Sequence, residues 1–141
     1  MMRRTCLYLV SLGAAIALAG CDDSSLDPAP PGSKLNAETI ATRDTPPELQ
    51  FKGTLAGQPV YLLMHKCKVY KVEPGAGENV KWTLVLEGDS SLLPTVCVQQ
   101  SLTESKGVVT AFIGRQAFGA GGCCTGTPEY RSRDGVNWKP R

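Results

Sequence analysis

The chain has 141 residues, room for one domain of ordinary size, with 15 Lys+Arg against 13 Asp+Glu and a net charge of +2. That balance excludes strong steering toward nucleic acid, and no nucleic-acid partner is expected. Six cysteines beside one histidine argue against a His-rich metal centre, and 15 Gly with 10 Pro favour turns over long helices.

Residues 1–20 divide into three parts. Arg3 and Arg4 give a positive start, residues 7–19 form an apolar run of 13, and Leu18-Ala19-Gly20-Cys21 closes it with small residues before a cysteine. As a helix this run reaches about 20 Å, short of the ~30 Å hydrocarbon core, so a cleaved export signal is expected rather than a membrane-spanning helix. The closing tetrapeptide resembles the lipobox of bacterial lipoproteins. That resemblance implies a diacylglyceryl group on the Cys21 thiol, cleavage between Gly20 and Cys21, and acylation (palmitate, for example) of the new amine. Two or three acyl chains anchor stably, whereas one holds only reversibly. Asp22 and Asp23 resemble the retention signal of enteric lipoproteins, which implies the periplasmic face of the inner membrane, with the outer membrane as the other destination.

Residues 21–47 carry five prolines, five acidic residues and two basic ones, with Leu26, Leu35 and Ile40 scattered between them. They read as a disordered, lipidated linker reaching roughly 25–30 Å, with Ser33 a candidate cap for a short helical turn through Ala41.

Residues 48–141 read as one small domain of net charge +3, with 11 basic and 8 acidic residues. Residues 49–52 and 60–64 form a predicted hairpin around Ala56-Gly57, and residues 66–73 continue as strand to the turn at Pro74-Gly75. Val80, Trp82, Leu84 and Leu86 alternate with more polar neighbours, the pattern of a half-buried strand. Residues 95–100 and 107–113 are two further strands, separated by Thr103-Glu104-Ser105-Lys106. Asp134-Gly135 between two short extended pieces predicts a last hairpin. The expected fold is mostly β: a small antiparallel sandwich or barrel-like domain stapled by two disulfides.

With Cys6 lost in the signal and Cys21 lipidated, Cys67, Cys97, Cys123 and Cys124 remain for an oxidising envelope. Three pairings are possible. The two that tie Cys123 and Cys124 separately to Cys67 and Cys97 are favoured, because neighbours in extended chain point to opposite sides. No Cys-x-x-Cys pair suggests zinc, and no metal or cofactor is expected.

His65 lacks a Gly-x-Ser-x-Gly elbow, and the acidic pairs Glu87/Asp89 and Glu73/Glu78 flank turns, so no catalytic set is assigned. The five glycines of residues 114–126 lack the ending of a phosphate loop and are read as room for the chain to turn around two cysteines. Lys66, Lys68 and Lys71 with Tyr61 and Tyr70 are read as the solvated face of an edge strand.

Ser132-Arg133-Asp134-Gly135-Val136-Asn137-Trp138 resembles a single Asp-box, the Ser-x-Asp-(x)-Gly-x-x-Trp hairpin of sialidase-like propellers, without the spacer before Gly135. The resemblance implies a structural turn in which Asp134 bonds turn amides and Trp138 packs beneath. It occurs once, and a propeller repeats its blades, so neither fold nor activity carries over.

The function expected is a membrane-anchored, periplasm-facing lipoprotein with a non-enzymatic binding or accessory role. Its partners are the bilayer, through acylated Cys21, and an envelope protein. An inhibitor or immunity protein against an envelope enzyme is the alternative, and a small hydrolase ranks below both.

Overall fold

The computed structural model describes Leu26 and residues 28–29, 31–88, 94–119 and 121–141. The export signal, Cys6, the cleavage site at Gly20 and Cys21, and Asp22, Asp23 and Asp89 lie outside the described residues.

Eight strands form two four-stranded antiparallel sheets, each in simple meander order. The first holds β1 (Gln50–Leu55), β2 (Gln58–His65), β3 (Lys68–Pro74) and β4 (Val80–Leu86). The second holds β5 (Thr95–Ser105), β6 (Val108–Ala117), β7 (Glu129–Ser132) and β8 (Lys139–Pro140). The polar residues 103–105 belong to β5, so they extend the strand that the sequence suggests they interrupt.

Three hairpins close on two residues with positive φ: Ala56 and Gly57 (49° and 77°), Lys66 and Cys67 (48° and 58°), Lys106 and Gly107 (53° and 74°). Such turns match the right-handed twist of the strands they join. The Lys66-Cys67 turn replaces the continuous strand expected over residues 66–73. No glycine marks it, and tertiary contacts hold it. The Cys67 N–H donates to Gln100 Oε1 at 2.9 Å, and Arg115 Nη2 lies 3.5 Å from the Cys67 carbonyl oxygen.

The two sheets enclose one core. Leu55, Val60, Leu62, Met64 and Val69 meet Leu102, Val109, Ala111, Ile113 and Tyr130 across it. Strand alternation turns Leu63, Val72 and Trp82 the other way, where they form a second cluster with Ala41 and Leu26. The cover on that face is a helix, α1 (Ala37–Asp44), followed by a 3-10 turn at Pro47–Leu49.

This helix corrects the expected linker. Residues 37–49 are ordered and docked, so the folded unit starts well before residue 48. Asn36 caps α1 by accepting from the Thr39 N–H at 2.7 Å, a role the sequence suggests for Ser33. Glu38, Thr39 and Thr42 then bind β4 along its open edge. The Val80 N–H donates to Thr39 Oγ1 at 2.9 Å and the Trp82 N–H to Glu38 Oε2 at 3.0 Å. The Trp82 indole N–H reaches Thr42 Oγ1 at 2.8 Å.

The disulfide pairing also differs from expectation. Cys67 bonds Cys97, with 5.6 Å between the Cα atoms, and Cys123 bonds its neighbour Cys124. The favoured long-range pairings to Cys123 and Cys124 are therefore not formed. The reason lies in the Lys66-Cys67 turn, which buries Cys67 fully against β5, where regular pairing breaks between Cys97 and Gln99. The bond joins the first sheet to the second.

Candidate functional site

The hairpin of β7 and β8 builds its own turn from one carboxylate. Asp134 Oδ1 accepts from the backbone N–H of Val136 at 2.9 Å and of Asn137 at 2.7 Å, and from the Ser132 hydroxyl at 2.9 Å. The Asn137 side-chain amide donates to Oδ2 at 2.6 Å. The Asn137 amide and then these backbone donors hold the Asp134 carboxyl well below the usual carboxylate range. Ser132 is buried, and its oxygen accepts from the Gly135 N–H at 2.8 Å.

Gly135 satisfies two demands at once. Its φ is +79°, and a Cβ there would stand 2.9 Å from Val60 Cγ1. The turn is thereby seated on the beginning of β2. Trp138 packs against the shared core, and its buried Nε1 has no hydrogen-bond partner among the described residues.

On the outer face of this hairpin the side chains are cationic. Arg131 stands directly opposite Lys139 across the ladder. Like charges placed so are destabilising in a sheet. Glu129 relieves part of the repulsion: one oxygen, Oε1, takes Arg131 Nη2 at 3.1 Å and Arg141 Nη1 at 2.9 Å. These two cations pull the Glu129 carboxyl down, Arg141 most strongly. Arg133 and Lys139 are exposed and make no ion pair or hydrogen bond among the described residues. The four cations border an open groove of about 480 Å³ whose apolar part is Val108 and Pro140.

The sequence reading misses this groove, although a signal for it exists. Arg-x-Arg before the Asp-Gly turn and Lys-x-Arg after it put both pairs on one face once the hairpin folds. Counting net charge hides it.

The other singled-out residues are placed elsewhere. His65 packs against Trp82, ring centroids 5.5 Å apart, beside a crevice of about 370 Å³ that Leu26, Ile40 and Met64 help line. Tyr70 stacks on the same indole at 4.9 Å, and the Tyr61 hydroxyl donates to Gln50 Oε1 at 2.6 Å. Lys68 pairs with Glu87 and Lys71 with Glu73, each at 2.9 Å, so these lysines and acids neutralise one another. Gly114 gives space to a disulfide: a Cβ there would lie 3.0 Å from Cys123 Sγ. The chain from Cys123 onward runs beside β6, with the Thr125 N–H on the Arg115 carbonyl at 2.8 Å. Among the described residues, no three His, Cys, Asp or Glu side chains converge as a metal site.

Comparison of the chain with family models, with curated proteins and with solved structures returns no match.

Proposed function

We propose that the protein is a lipid-anchored, periplasm-facing lipoprotein of the bacterial envelope, held at the inner membrane and acting by binding rather than by catalysis. One observation carries the anchor: Leu18-Ala19-Gly20-Cys21 closes an apolar run too short to span a bilayer. The bond between Cys67 and Cys97 suits the oxidising compartment that such an anchor implies. The binding role is supported by the groove of the β7–β8 hairpin, where Arg133 and Lys139 stand ready for an anionic group.

The test is direct. Mass spectrometry of the mature N-terminus should find acyl chains on residue 21, and Cys21→Ser should leave an uncleaved precursor. An unmodified N-terminus at another residue would end the assignment. Density-gradient separation of the two membranes reads the destination, and Asp22→Ser should change it if the residues after Cys21 set the address.

A further inference from the structure

We infer that the groove bordered by Arg131, Arg133, Lys139 and Arg141 is a docking site for an acidic segment of a partner protein. It deepens the binding reading proposed above and does not depend on the lipid anchor.

Charge and shape carry it. Arg131 and Arg141 share a single carboxylate oxygen of Glu129, so two guanidinium groups meet one negative charge. Asp134 also borders the groove; neutral turn donors hold its oxygens without cancelling its charge, so the four cations and the two carboxylates leave a net charge of +2. Arg133 and Lys139 make no ion pair among the described residues. Opposing Arg131 to Lys139 costs the sheet stability, and an anion laid between them turns that cost into affinity. Three of the four cations are arginines, whose planar forks grip carboxylates in pairs and which are enriched at protein interfaces. Val108 and Pro140 supply apolar contact, and the half-exposed Val136 follows Asp134 in the same hairpin. A run of glutamates or aspartates with an aliphatic neighbour fits this surface. Pro140 has no N–H to donate, so the partner is held by side chains and not as an added strand.

The experiment uses the full acylated chain in nanodiscs and a fluorescent octaglutamate peptide as probe, read by anisotropy. The peptide should bind in phosphatidylcholine discs, more weakly as ionic strength rises from about 0.01 to about 0.15 M. Arg133→Glu combined with Lys139→Glu should weaken it ten-fold or more while the thermal midpoint does not fall, since a glutamate at position 139 would face Arg131 as an opposite charge. Equal binding by that variant, or no binding of the peptide by the wild type, overturns the site. Replacing part of the lipid with phosphatidylglycerol at about 0.15 M salt should leave peptide affinity within about two-fold. A larger loss there would mean that lipid headgroups fill the groove, which overturns the acidic-segment reading. Mass spectrometry of residue 21 in the same sample reports separately on the anchor, so a missing acyl group is not confused with a failed groove.

Discussion

The two sheets of this domain bury their side chains on different terms. The first is covered on both faces, by the second sheet and by α1, and β2 accordingly reads as an unbroken apolar run in which Leu62, Leu63 and Met64 are all buried. The second is covered on one face among the described residues. Val109, Ala111 and Ile113 of β6 are buried there, while Thr110 and Phe112 between them are only half-buried. The uncovered face ends in the cationic hairpin. Covering both faces of a sheet strengthens the fold and leaves little surface for a partner, so stability and binding should separate by sheet when residues are changed.

The largest separation is expected at Leu63, enclosed between β2 and the helix layer. Leu63→Ala should cost roughly 4 kcal/mol, in the upper part of the range for buried leucines, against less than about 0.5 kcal/mol for Thr110→Ala on the open face. Urea unfolding measures both, and comparable losses would break the contrast. Next come the disulfides. Opening Cys67–Cys97 frees a loop of 30 residues and should cost roughly 3–4 kcal/mol, whereas opening Cys123–Cys124 frees almost none. Cys67→Ala with Cys97→Ala, set beside Cys123→Ala with Cys124→Ala, isolates the two effects.

Asp134→Ala should cost about 1–2 kcal/mol, since it removes a charged acceptor from several turn donors. The folded-state pKa of Asp134 is depressed, so its contribution is complete above the unfolded value near 3.9 and is lost as pH falls below it. The difference between wild type and variant should therefore shrink below about pH 4. A constant difference down to acid pH would show that the carboxylate's charge is irrelevant to the turn. Thr42→Val should cost about 1 kcal/mol by stripping the Trp82 indole of its acceptor while keeping shape, and a larger loss would mean that Thr42 holds more of the first sheet than its one bond to the indole suggests.

Much of the fold was legible because strands announce themselves by alternation and turns by glycine. The Ala56-Gly57 hairpin and the Asp134-Gly135 turn are examples, as is the Val80–Leu86 strand. That strand also shows how alternation misleads. Leu84 is 47% exposed, because the face it shares with Trp82 is roofed by a helix of only eight residues. The helix itself was hidden by the prolines and acids around it, although Asn36 is a good cap and Ala37, Ile40 and Ala41 recur at helical spacing. The Lys66-Cys67 turn was not legible at all. Nothing local favours positive φ at those two residues, and the Cys67–Cys97 bond and the Gln100 contact that impose it come from 30 or more residues away. The disulfide pairing failed for the same reason, since it depends on a turn the local sequence does not encode. The groove escaped because each cation is unremarkable alone and only the hairpin register collects them.

The seating of α1 along β4 has a consequence for solubility. An open strand edge is a template for pairing with another copy, and here the edge donors of Val80 and Trp82 are occupied by Thr39 and Glu38 of the chain's own helix. Those contacts close loops of 41 and 44 residues, while three of the strand hairpins close on two, so seating the helix costs more chain entropy than closing those turns. A version of the protein trimmed to its strands would lose that shield. It would present two bare amide donors and an uncovered tryptophan to its neighbours, which makes residues 36–44 the segment that keeps concentrated protein from stacking edge to edge.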